Sequence, residues 1–135
     1  MKLLSILLEQ EKILVPRRTK DRAERYLRAL QGKIQEYIKN GSKGSLNLQD
    51  TPITSLPDNL KYVGGNLSLS NTPIKSLPDN LEVEGDLYLD STSITSLPDN
   101  LEVEGDIYVH KSPLAEKYTD EEIKNLADIG GKIVR

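Results

Sequence analysis

Leu56-Pro57-Asp58-Asn59-Leu60 returns as Leu77-Pro78-Asp79-Asn80-Leu81 and again as Leu97-Pro98-Asp99-Asn100-Leu101, at offsets of 21 and then 20 residues. Four strand-like units keep the same step: Leu46-Asn47-Leu48, Leu67-Ser68-Leu69, Leu87-Tyr88-Leu89 and Ile107-Tyr108-Val109. Each pentapeptide is preceded by Thr51-x-Ile53, Thr72-x-Ile74 or Thr92-x-Ile94 and followed by Val63, Val83 or Val103. Self-similarity at a fixed period of this length marks a solenoid. Alternation within Leu-x-Leu turns both leucines to one face and the residue between them to the other. One coil alone cannot bury its apolar set, but stacked coils lay Leu46, Leu67, Leu87 and Ile107 into a continuous ladder. Ile53, Leu56, Leu60 and Val63, with their copies, fill the rest of the interior, each buried chain contributing roughly 1.5–3 kcal/mol.

The polar and special residues of the repeat read as architecture. Gly44, Gly65, Gly85 and Gly105 precede the strands, where a tight backbone turn is expected. Pro57, Pro78 and Pro98 lack an N–H and fix φ, which suits the side of the coil away from the strands. The hydroxyls of Thr51, Thr72 and Thr92 are expected to bond backbone groups of the next coil. Asp58-Asn59 and its copies recur unchanged, as turn chemistry does.

The unit Leu-x-Leu followed by Thr-x-Ile-x-x-Leu-Pro resembles the bacterial short form of the leucine-rich repeat, over residues 44–111. Thr51, Thr72 and Thr92 stand where that family usually has Asn. The wider layout also resembles small leucine-rich repeat proteins encoded by bacteriophages: a basic N-terminal helix, Leu-Pro-Asp-Asn coils and a Thr-Asp-Glu-Glu helix. The resemblance implies an α/β fold, a short solenoid of parallel strands with one strand per ~20-residue repeat. Some bacterial leucine-rich proteins add a cysteine-dependent ubiquitin ligase domain, for which this chain has no cysteine and no room.

With 135 residues, 36% hydrophobic, six Tyr and no Phe or Trp, the chain suits one modest domain with a narrow aliphatic column. The absence of Cys excludes disulfides, thiolate catalysis and cysteine-based zinc sites. The apolar run in residues 1–10 is too short for a membrane span and lacks a small-residue cleavage site. A soluble protein is expected, cytoplasmic in a bacterial host or virion-associated. Charge is uneven: residues 1–43 carry 11 Lys/Arg against 5 Asp/Glu, and residues 44–135 carry 7 against 16.

Four segments follow. Residues 1–18 form an N-terminal arm, with Leu3, Leu4, Leu7 and Leu8 at helical spacing and Ile13-Leu14-Val15 stopped by Pro16; it packs on its own chain or docks on another. Residues 19–43 are a capping helix and linker. Thr19 caps the helix, Asn40-Gly41 ends it, and Ala23, Tyr26, Leu27, Leu30, Ile34, Tyr37 and Ile38 form a stripe that covers the first coil. Gly32, in mid-helix, has no explanation at this level. Residues 44–111 are the solenoid. Residues 112–135 form a C-terminal cap in which Ser112-Pro113 breaks the repeat and Thr119-Asp120-Glu121-Glu122 starts a helix. Ile123, Leu126 and Ile129 give that helix its apolar side, and Gly130-Gly131 ends it. Gly131-Lys132-Ile133-Val134 then mimics Gly105-Asp106-Ile107-Tyr108 as a closing strand.

Two surfaces are candidates for function. Arg18, Arg22, Arg25 and Arg28 make a basic helix ridge of the kind that holds phosphates. Asp21–Arg25 and Glu24–Arg28 are i,i+4 pairs that explain it as a solvated face, and no helix-turn-helix, zinc spacing or stacking aromatic accompanies it, so nucleic acid is not the expected partner. The outward strand positions run from Ser45, Asn47, Gln49 and Asn66, Ser68, Ser70 to Asp86, Tyr88, Asp90 and Asp106, Tyr108, His110. With strands about 4.8 Å apart, Tyr88 stacks on Tyr108. Asp86 and Asp106 become like-charge neighbours, an arrangement that destabilises a sheet, with Glu84 and Glu104 nearby. Asp86, Tyr88, Asp90, Asp106, Tyr108 and His110 are therefore the expected binding patch for a basic protein or peptide, with the tyrosines as anchors. The carboxylate spacing fits no EF-hand type loop, and neither metal nor cofactor is expected. His110 is the only histidine, and no base–nucleophile set or phosphate loop is present, which points away from an enzyme. The alternative is a structural or assembly protein that self-associates through the arm and the charge-asymmetric halves.

Overall fold

A computed structural model describes residues 17–135, and the chain divides into two units, Met1–Gly32 and Lys33–Arg135. The expected arm falls outside the described residues up to residue 16. Helix α1 (Arg17–Lys39) starts two residues before the expected cap, so Thr19 lies inside its first turn. Arg17 and Arg18 are good helix formers and extend the helix backwards. In the first unit, Ala23, Tyr26 and Leu27 of the apolar stripe are exposed.

The last two turns of α1 belong to the solenoid unit and close its first coil. Ile34 is fully buried, and Gln35 and Asn59 exchange two amide hydrogen bonds, at 3.1 and 3.0 Å. The Tyr37 hydroxyl reaches the carbonyls of Ser42 and Gly44, at 3.0 and 2.7 Å, and accepts from the Gly64 N–H. Gly41, at φ +97°, ends the helix with Gly41 N–H on Ile38 and Ser42 N–H on Tyr37, the paired bonds of a Schellman motif.

From Leu46 onward the chain winds as the expected parallel-strand solenoid. Strands β1 (Leu46–Asn47), β3 (Leu67–Ser68), β5 (Leu87–Tyr88), β7 (Ile107–Tyr108) and β9 (Ile133–Val134) form one parallel sheet. Strands β2 (Tyr62–Val63), β4 (Glu82–Val83), β6 (Glu102–Val103) and β8 (Asp128–Ile129) form a second, which the repeat pattern alone did not announce. Equivalent residues pair: Leu46, Leu67, Leu87, Ile107 and Ile133 on one side, Val63, Val83, Val103 and Ile129 on the other. The second coil shows the resulting core, with Leu67, Leu69, Ile74, Leu77, Leu81 and Val83 all buried.

Two details of the repeat differ from expectation. Each Thr hydroxyl donates within its own coil, Thr51 to Leu48 O, Thr72 to Leu69 O and Thr92 to Leu89 O, at 2.6–2.8 Å. The corner after each strand is left-handed at Asp50, Asn71, Ser91 and Lys111, with φ between 55° and 61°. That bend folds the Thr back onto the carbonyl three residues before it. Of the four pre-strand glycines only Gly44 has positive φ. Gly65, Gly85 and Gly105 are required by close approach: a Cβ on Gly105 would lie 2.8 Å from the Gly85 carbonyl oxygen and would collide with the Asp86 carboxylate.

Ser112-Pro113 continues the repeat rather than breaking it. The Ser112 hydroxyl donates to Val109 O at 2.6 Å, as the threonines do, and buried Leu114 takes the place of Ile94, to whose carbonyl its N–H is bonded. The fourth coil then replaces the Leu-Pro-Asp-Asn turn with α2 (Pro113–Lys117) and α3 (Asp120–Leu126). The capping box at Thr119 and Glu122 forms as expected. However, α3 ends at Leu126 with Ala127 extended, so Ile129 is a strand residue of β8 and Gly130-Gly131 turns between β8 and β9. The helix cannot run on because Asp128 and Gly130 donate their N–H groups to Leu101 and Val103 of the coil below. The Arg135 guanidinium, which no sequence pattern singled out, donates to the Ala115 and Tyr118 carbonyls and pairs with Asp120.

The glycine assignment is testable. Gly105→Ala should cost about 1–3 kcal/mol in urea unfolding, because the neighbour it meets is backbone. Gly32→Ala, whose Cβ would meet nothing within 4 Å, should not lower the midpoint. An unchanged Gly105→Ala midpoint would refute the close-approach account.

Candidate functional site

The outer face of the five-stranded sheet is built from three columns of side chains. The middle column is Asn47, Ser68, Tyr88, Tyr108 and Val134, in register across the five strands. Tyr88 and Tyr108 stack with ring centroids 4.5 Å apart and planes 13° from parallel, close to the separation of the strands that carry them. Both rings are half-buried. Burial, then the Asp86 carboxylate, pushes the Tyr88 hydroxyl above its ordinary pKa.

The column before the strands explains the acidic residues. Ser45 Oγ accepts the Asn66 N–H, Asn66 Oδ1 that of Asp86, Asp86 Oδ1 that of Asp106 and Asp106 Oδ1 that of Lys132, at 2.7–2.9 Å. A short acceptor is therefore used at each of these positions to tie one coil to the next. Asp86 and Asp106 are neighbours, as expected, but each has one carboxylate oxygen on a backbone N–H, which offsets part of the like-charge penalty. The second oxygen of Asp86 lies 3.4 Å from the Tyr88 hydroxyl. In the column after the strands, Asp90 Oδ1 accepts the His110 N–H at 2.9 Å.

The six expected binding residues thus share one face, with the three carboxylates each half-engaged in holding the coils. Glu84 and Glu104 lie instead after the strands of the second sheet. There Glu82, Glu102 and Asp128 also align, and the Glu84 carboxylate holds the exposed Tyr62 hydroxyl above its ordinary pKa. Arg22, Arg25 and Arg28 are exposed on α1; Arg18 belongs to the helix. Among the described residues the ion pair is that of Arg135 with Asp120, so neither Asp21–Arg25 nor Glu24–Arg28 closes to pairing distance. The described residues bring together no group of three or more metal-ligating side chains, and none of their helices is long and apolar enough to cross a membrane.

A feature missed in the sequence lies beside the tyrosines. A shallow hollow of about 260 Å³ opens between Tyr88, Ser68, Asn47 and Gln49, floored at its edge by Ser45 and Asn66. It exists because the first two coils carry small or amide side chains where the next two carry rings. The column pattern Asn47-Ser68-Tyr88-Tyr108 was its signal.

Asp86→Ala should lose about 1–3 kcal/mol, because the half-buried Asp106 N–H is left unpaired. Asp86→Asn keeps the acceptor, as Asn66 does natively, and should cost less than half as much in the same urea titration. A second expectation concerns pH. Below pH about 10 Tyr88 is neutral in both folded and unfolded chains, and above it the unfolded chain ionises first. Stability should therefore fall as pH rises through that range, and by less in Tyr88→Phe, read from urea midpoints at pH 9 and pH 11.

No protein family, curated protein or solved structure matches this chain.

Proposed function

We propose that the chain is a non-enzymatic protein-interaction module, a short bacterial-type leucine-rich repeat that holds a basic protein or peptide surface on the outer face of its five-stranded sheet. The stacked Tyr88–Tyr108 pair carries this reading. Two rings fixed against each other supply contact area at little cost in side-chain entropy, as anchor residues of interfaces do. Around them Asp86, Asp90 and Asp106 present carboxylates that no Lys or Arg among the described residues pairs with. Their backbone hydrogen bonds hold the charges in place, so a cationic partner meets them without reorganisation. The resemblance to phage-encoded proteins supports a setting in the bacterial cytoplasm or on a virion.

The test is a set of length-matched peptides, cationic, neutral and anionic, passed over the immobilised chain. Cationic peptides should be retained, with affinity falling as salt rises. Asp86→Asn with Asp90→Asn and Asp106→Asn should weaken capture at least tenfold while keeping the acceptors that hold the coils. Equal retention of anionic peptides, or capture unchanged in Tyr88→Ala with Tyr108→Ala, would refute the reading.

The exposed Tyr26 and Leu27 on α1 favour a second reading, in which the basic N-terminal part of one copy meets the acidic body of another. Light scattering at low and high salt separates the two. A 15.1 kDa species at both sinks assembly, whereas a larger species that dissociates in salt supports it.

A further inference from the structure

The tyrosine stack is incomplete, and what completes it narrows the partner. Tyr108 covers one face of Tyr88. With planes 13° from parallel and centroids 4.5 Å apart, the rings follow one another in the direction in which the coils stack. The uncovered face of Tyr88 therefore looks towards its in-register neighbour on β3, which is Ser68, and beyond it Asn47 on β1. Neither side chain carries a ring to lay against Tyr88. The place where a third ring would stand is the hollow of about 260 Å³.

Resting on the basic-partner reading, we propose that this place takes the guanidinium group of an arginine of the partner, stacked on Tyr88. Three observations select it. The slot continues a parallel stack and so favours a planar group, which guanidinium is and ammonium is not. A cation over a tyrosine face is attracted by the ring's charge distribution. Acceptors line the hollow: Ser68 Oγ and Gln49 Oε1, which takes the Ser68 hydroxyl at 3.3 Å and has a second lone pair; outside the lining, the outer Asp86 oxygen lies 3.4 Å from the Tyr88 hydroxyl. A neutral aromatic ring would stack but would leave the carboxylates of this face without a cation. An anionic ring system, such as a nucleotide, would be repelled by the carboxylates of the same face. At neutral pH, where histidine is largely uncharged, arginine is the side chain that joins a plane, a full positive charge and several fixed donors.

The experiment compares four fluorescein-labelled peptides, identical except at one central position occupied by arginine, lysine, citrulline or phenylalanine. Binding is read by anisotropy to the whole chain and to two variants. Ser68→Tyr places the protein's own ring in the slot, and Tyr88→Leu keeps apolar bulk without a π-face. The wild-type chain should bind the arginine peptide at least tenfold more tightly than the other three. In both variants the arginine-to-lysine ratio should fall to near one while weak, salt-sensitive binding of both remains. Urea midpoints within the error of wild type identify variants that have kept the fold, and either variant alone suffices. Lysine or citrulline binding as tightly as arginine, or an arginine preference that survives Ser68→Tyr, overturns the proposal and leaves charge-driven capture standing. Tighter binding of the phenylalanine peptide overturns it in favour of a neutral ring. If none of the cationic peptides binds, the basic-partner reading falls as well.

Discussion

Coil-to-coil distance is the constraint on which everything else in this molecule depends. Two parallel sheets can share one short solenoid only if every coil repeats at the strand spacing on both sides at once. The Gly85 N–H donates to Gly65 O and the Gly105 N–H to Gly85 O, each at 3.0 Å, and Gly131 continues the line onto Gly105 at 2.9 Å. No side chain fits between these backbones. Given that spacing, the aliphatic column has no choice but to stack like on like, and each leucine meets its own copy above and below.

The same constraint sets the chemistry of the surface. Acceptors at Ser45, Asn66, Asp86 and Asp106 sit where the next coil's N–H arrives, and the ladder stops at Lys132, whose side chain has nothing to accept with. Lysine on a terminal strand also discourages pairing with another sheet edge. All three acids offered for partner binding, Asp90 included through its bond to the His110 N–H, are therefore also mortar. The change from Ser and Asn to Asp and Asp along one column adds charge without changing the hydrogen bond, so charge on this face varied independently of the fold.

Much of the architecture was legible because it repeats. Leu46, Ile53, Leu60, Val63 and their copies announced an interior by period alone, and Gly131-Lys132-Ile133-Val134 announced the closing strand by likeness to the strand below. What was illegible needed direction rather than period. A threonine before an isoleucine does not reveal whether its hydroxyl turns to its own coil or the next, and the left-handed corner at Asp50, Asn71, Ser91 and Lys111 decides it. Ser112-Pro113-Leu114 hid as a fourth copy because two of its three residues were replaced by physical equivalents. Ile129 looked helical because its spacing from Ile123 and Leu126 fits a helix as well as it fits the step to a strand. At the candidate site the residue types were visible, but the vacancy beside Tyr88 is a property of what Ser68 and Asn47 lack. Arg135 contributes through a contact across 15–20 residues that no local pattern encodes.

The fourth coil differs from the others only in its return path. It enters through Ser112, whose hydroxyl bonds as the threonines' do, with Leu114 buried in the core, and leaves through Ile129 and Ile133 in ordinary register, with two helices between. The C-terminal cap is thus a plug seated on the coil beneath it, and each interior coil is a cassette with the same strand register above and below. Duplication or loss of one cassette leaves both ends seated. The number of coils, and with it the length of the tyrosine column and the count of carboxylates beside it, is a dimension along which such a chain can evolve without refolding.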